Sequence, residues 1–164
     1  MVMVHNMMLR GLNSIYLQAQ HISKADERPF CKYILVWHLL LHHHHSGEEA
    51  DLFPVLDQMV GEKDVMAANV EQHRAFHPGL DAFVAYVKDC EAGKQTYDGD
   101  KIVALIDAFG KILSDHLTDE IPTILDLRRF GVEKIESFPK AMDEQGEKAM
   151  VSGSRHVPLP MMAH

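Results

Sequence analysis

Apolar side chains recur every three or four residues through four long stretches of this chain, and strict alternation in twos is weak. That period belongs to helices with one buried face. Counted round a helix from His5, the residues Leu9, Leu12, Tyr16 and Ala19 fall within about 40°, which predicts a first helix from the start of the chain to about His21. Gly11 and Asn13 lower its propensity. After the loop Ser23–Arg28, Pro29 suits the first turn of a second helix, predicted to run to about Val60 and to stop at Gly61. Its inward stripe is Tyr33, Trp37, Leu40, Leu41, His44, Glu48, Leu52 and Val55. His45 and Glu49 sit roughly 100° further round, at the boundary or outside.

A third helix is predicted from Asp64, a good N-cap residue, to about Glu91, with Met66, Val70, His73, His77, Leu80, Val84 and Val87 on one face. A loop through Asp98-Gly99-Asp100 leads to a fourth, ending near Phe130 with Gly131 as its stop. Ile102, Leu105, Phe109, Ile112, His116, Glu120 and Leu127 line its inner face. Pro54, Pro78 and Pro122 each cost about 3 kcal/mol in an ideal helix interior. Bends or short breaks are expected at Pro54 and Pro122, and Pro78 restricts the backbone of His77. From 132 to 164 the pattern changes. Pro139, Gly146, Gly153, Pro158 and Pro160 punctuate it, so a short helix over Val132–Phe138 and then an extended tail are expected, with Met161 and Met162 available to dock on the bundle. The reading is an all-α helical bundle over residues 1–131, followed by an irregular C-terminal extension.

Composition narrows the function. The net charge is −8 and the chain has no basic stripe, which argues against nucleic acid. No apolar run approaches a membrane span, and the start of the chain does not read as a signal peptide. Cys31 and Cys90 stand alone, without zinc-finger spacing, and free thiols fit a reducing compartment. These features predict a soluble, cytoplasmic protein.

The chemistry lies in histidine and glutamate at a spacing of four: His44/Glu48, His73/His77 and His116/Glu120. That spacing stacks two side chains on one helical face. With His5, the predicted inward set is His5, His44, Glu48, His73, His77, His116 and Glu120. Five imidazoles and two carboxylates exceed the needs of one ion and suit two. Imidazole favours zinc, copper, iron or nickel, and carboxylate is a harder ligand able to bridge. Buried without a partner, such groups would be costly; metal binding removes that cost and couples to folding. His21 and His38 are read as ordinary helix-face histidines.

The stretches His5-Asn6, His44-His45-Ser46-Gly47-Glu48-Glu49-Ala50-Asp51-Leu52-Phe53-Pro54, Glu71-Gln72-His73-Arg74-Ala75-Phe76-His77 and Asp115-His116-Leu117-Thr118-Asp119-Glu120 together resemble the hemerythrin family, specifically the hemerythrin-like or HHE cation-binding domain, over about residues 5–130. The resemblance implies an up-down four-helix bundle with a non-haem di-iron centre, oxo- or hydroxo-bridged, iron being preferred to manganese or zinc. By position, His73, His77 and His116 would hold one iron, His5 and His44 the other, and Glu48 and Glu120 would bridge them. It further implies dioxygen or a related small ligand as the partner, or a role in sensing or storing iron. A di-iron oxidase or oxygenase acting on a small organic substrate is the alternative. Oxygen-carrying members place an aspartate five residues after the last histidine; here that position is Ile121 and the carboxylate is Glu120, an arrangement shared by many HHE domains.

Overall fold

A computed structural model describes residues 1–131. The helix expected over Val132–Phe138 and the tail beyond it, including Met161 and Met162, lie outside the described residues. Six α-helices follow in order: α1 (Val2–Gln18), α2 (Glu27–Gly47), α3 (Phe53–Val60), α4 (Ala67–Glu91), α5 (Gly99–Asp107) and α6 (Gly110–Asp126). Among the described residues there is no strand. The fold is all-α, a four-helix bundle.

The chain divides into two units, one of Met1–Ser46 with Met66–Asp126, the other of Gly47–Val65 with the segment from Leu127. In the first unit four rods pack together: α1, α2, α4 and the α5/α6 pair. Neighbours run antiparallel. Early in α1 the ring of His5 meets that of His44, late in α2, at 5.0 Å; further along, Trp37 Nε1–H donates to Met8 O at 3.0 Å. Likewise His73 faces His116, while Gly79 meets Phe109. Two glycines set how closely the rods approach. A Cβ on Gly11 would stand 2.6 Å from Trp37 Cδ1, and one on Gly79 would stand 2.9 Å from Phe109 Cβ. Gly11, costly to local helix propensity, is therefore where α1 lets the indole in. The apolar core of this unit includes Ile15, Ile34, Leu41, Phe76, Phe83, Phe109 and Leu113.

The predicted fourth helix is split. Ala108 N–H donates to Leu105 O and Phe109 N–H to Ile106 O, a tight turn that drives the fully buried Phe109 against Phe83, ring centroids 5.6 Å apart. Asp98 caps α5, its Oδ1 accepting from the N–H groups of Asp100 and Lys101 at 2.9 and 3.2 Å. The third long helix starts at Ala67 instead of Asp64. Asp64 takes a left-handed φ of 58°, and its N–H donates to Asp57 Oδ2 at 2.8 Å while Val65 N–H donates to Oδ1 at 3.0 Å. The organising carboxylate of that turn is thus Asp57.

Among the described prolines, only Pro54 accompanies a change of helix type. The stretch Glu48–Leu52 is a π turn, closed by Phe53 N–H donating to Glu48 O. Pro54 has no N–H to offer and crowds the carbonyl four residues back; widening the preceding turn relieves both problems, and such turns are frequent at functional sites. Pro78 and Pro122 lie inside continuous helices. Both are exposed, at positions where a carbonyl that loses its donor can be served by water. The second helix stops at Gly61, φ 79°, as expected.

Several predicted faces were rotated by about one residue. Tyr33, Leu40 and Ile112, expected inward, are 44%, 47% and 39% exposed. The buried stripe of α2 is Phe30, Ile34, Trp37, Leu41 and His45, steps of four and three that keep one seam in contact.

Candidate metal centre

Antiparallel packing brings the early turns of α1 and α4 to the same end as the late turns of α2 and the middle of α6. Two groups of ligand-type side chains converge there within the first unit. His45, His73 and His116 offer ligand atoms within 4.8 Å of one another, as do His5, His44 and Glu120. His5, His45, His73, His116 and Glu120 are buried and His44 is half-buried.

The second ring nitrogens of two of these histidines are held by the fold. His5 Nδ1–H donates to Leu117 O at 2.7 Å, and His116 Nδ1–H donates to the side-chain oxygen of Gln72 at 3.1 Å. Anchoring of this kind fixes the tautomer and turns the Nε2 lone pair inward, as metal-bound imidazoles require. The inward nitrogens meet in pairs at hydrogen-bond distance: His5 Nε2 is 2.9 Å from His44 Nε2, and His73 Nε2 is 3.0 Å from His116 Nε2. Two nitrogens at right angles round one ion, each about 2.1 Å from it, would be about 3.0 Å apart. Glu120 Oε2 lies 3.2 Å from His5 Nε2, and neither carboxylate oxygen has a hydrogen-bond partner among the described residues. His45 Nε2 is likewise buried without a hydrogen-bond partner. Buried polar atoms left in that state are costly, and a cation relieves the cost. The residues fit a metal.

Electrostatics favour the same state. Burial, helped by His5, pushes His44 down to about 4 against the pull of Glu120. Burial, with His73, His5 and His44, pushes His116 down to about 3. His45 is driven far below its ordinary value by burial, with His73 and His116 adding to it. All three are neutral near pH 7 and available as ligands.

Of the sequence-derived set, the structure brings together His5, His44, His73, His116 and Glu120 within this unit. Glu48 belongs to the second unit, where it is buried and opens the π turn. His77 is half-buried, stacked on Phe76 with centroids 5.3 Å apart and planes within 19°, and lies outside both groups. His45, expected at the boundary, is 4% exposed and packs 4.4 Å from His73 and 5.1 Å from His116, ring centre to ring centre. The signal for it was present: the ladder Ile34, Trp37, Leu41 extended by one step of four reaches His45. Near the ligands α2 presents two adjacent residues inward, one toward α1 and one toward α4.

Antiparallel helices joined at one end by buried imidazole and carboxylate define a cation-binding bundle. The hemerythrin HHE cation-binding domain model matches residues 1–126, and the chain belongs to that family. It is also 36% identical over 136 residues to the "Dimeric xanthone biosynthesis cluster protein R11" of Cryptosporiopsis sp. (strain 8999), an alignment covering 82% of this chain and 51% of that protein. The chain thus spans about half the length of this curated relative. No solved structure matches it significantly. Among the described residues no helix is long and apolar enough to cross a membrane.

Proposed function

We propose that the chain holds two iron ions and uses them to bind dioxygen or a related small ligand. His45, His73 and His116 serve one ion, His5, His44 and Glu120 the other. Glu48, one helical turn after His44 in the chain, stays a candidate carboxylate by that spacing. His77 leaves the ligand set that the sequence suggested, and His45 enters it. The observation that carries this reading is the convergence of buried and half-buried imidazole nitrogens with the Glu120 carboxylate, two of the rings oriented by hydrogen bonds on their far side. Bound iron would supply reversible one-electron chemistry toward oxygen; the chain supplies fixed tautomers, the buried carboxylate of Glu120 and exclusion of water. Metal analysis of the reconstituted full chain should find about two irons, in keeping with bundle sites built from facing carboxylates and histidines, with an oxo-bridge absorption band in the near ultraviolet. Less than about half an iron per chain would remove the proposal.

A second reading, an oxidase acting on a small organic substrate, is favoured by the similarity to a protein of a biosynthesis cluster. Oxygen consumed in proportion to an added xanthone would establish it. An optical change that oxygen produces and evacuation reverses would establish the binding protein.

A further inference from the structure

The bundle centre leaves four histidines unused on two neighbouring helices: His38, His42 and His43 on α2, and His77 on α4; His42 follows His38 by one turn, and Asp81 follows His77 by one. Both pairs have the spacing of four that stacks side chains on one face. His38 and His42 do stack, centroids 6.0 Å apart and planes within 16°.

The register between α2 and α4 is held at both ends. At one, Arg28 Nε–H donates to Glu91 O at 3.0 Å, and Lys32 Nζ lies 4.0 Å from Glu91 Oε1. At the other, the His45 ring lies 4.4 Å from that of His73 and 5.1 Å from that of Phe76. Stepping inward from either end along antiparallel helices puts His42 opposite His77 and His38 opposite Asp81. Burial agrees: His38 and His77 are half-buried, as residues at a seam are, and His42 and Asp81 are exposed on its rim. The charges felt by His38 describe the same neighbourhood. Burial lowers its pKa, His42, Lys88 and His77 lower it further, and Asp81 pulls it up.

We propose that His38, His42, His77 and Asp81 form a second metal site, on the surface seam between α2 and α4, for a divalent transition ion of the zinc, copper or nickel class. Three imidazoles and one carboxylate match the ligand number and softness of zinc. The four ligand atoms do not already share one coordination sphere. Exposed His42 and Asp81 swing in, and the rotamer entropy this costs makes the site weaker and faster to exchange than the buried centre. Phe76, in ring contact with both His77 and His45, keeps this site separate from the ligands of the bundle interior.

The test is calorimetric titration of the full, metal-saturated chain with zinc chloride, with the tightly held metal counted before and after. One further zinc ion should bind. His38→Ala/His77→Ala should weaken that event by about tenfold or more, since even a group outside a metal's ligand shell contributes on that scale, and leave the tightly held metal unchanged. His43→Ala and His21→Ala should bind zinc like the parent. No further zinc binding below about 1 mM, a range of only some 4 kcal/mol, overturns the proposal. So does undiminished binding in the double variant, or an equal loss in the two controls. Because the readout is the added zinc, it fails or succeeds independently of what occupies the bundle centre.

Discussion

Replacing His45 by leucine should raise the stability of the metal-free protein and abolish much of what metal adds. In the fold His45 is 4% exposed and its Nε2 has no hydrogen-bond partner. A buried polar atom left in that state costs about 1–3 kcal/mol. Leucine is similar in size, so the substitution removes this cost without opening a large cavity. For a chain of 164 residues, 1 kcal/mol corresponds to roughly 3 °C in Tm. The metal-free His45→Leu protein should therefore melt about 3–9 °C above the parent. Metal reverses the order. A ligand at a hundredfold excess over its Kd stabilises by about 2.7 kcal/mol, or roughly 8 °C on the same scale. The parent should show such a rise and the variant a smaller one, with about one ion bound in place of two. Thermal melts followed by circular dichroism, with chelator and with metal, measure both effects. A variant that melts lower than the parent without metal, yet gains as much as the parent with it, would refute the assignment of His45 as a ligand residue.

The metal-free protein should also lose stability in acid. His44 and His116 have folded pKa values of about 4 and about 3, below the ordinary value near 6.5. Between those limits the unfolded chain binds more protons, so stability present at pH 7 falls as the pH drops from about 6.5 toward 4; urea midpoints that decrease steadily across that window confirm it, and a flat profile contradicts it. Two helical glycines should respond with opposite signs. Gly11→Ala forces a Cβ onto Trp37 and should destabilise by about 1–3 kcal/mol, whereas Gly47→Ala meets nothing within 4 Å and should stabilise by about 0.5–1 kcal/mol; shifts of the same sign in urea unfolding would contradict the packing described. Asp98→Ala should cost about 1 kcal/mol by removing the α5 cap, with no change in metal content by elemental analysis.

The π turn at Glu48–Leu52 is a local answer to Pro54, the residue that a regular helix tolerates least there.

By itself the sequence determined that the chain is helical and where the helices lie to within a few residues, and it named His5, His44, Glu48, His73, His77, His116 and Glu120 as candidate ligands. These follow from the period of the apolar positions and from spacings of four within single helices, which are local properties. The tertiary structure decided which of two adjacent residues turns inward. The sequence pattern admits either His44 or His45, and only contact with α1 on one side and α4 on the other shows both reaching inward. It decided as well that His73 is directed inward while His77, one turn later, lies against Phe76. The break at Ala108–Phe109 and the start of α4 at Ala67 belong to the same class, the first depending on Phe109 reaching Phe83, the second on Asp57 bonding to Asp64 and Val65. The physical reason is that helix phase is known from sequence only to about one residue, or 100°, whereas the relative rotation of packed helices is set by close contacts such as Gly11 with Trp37 and Gly79 with Phe109, between residues far apart in the chain.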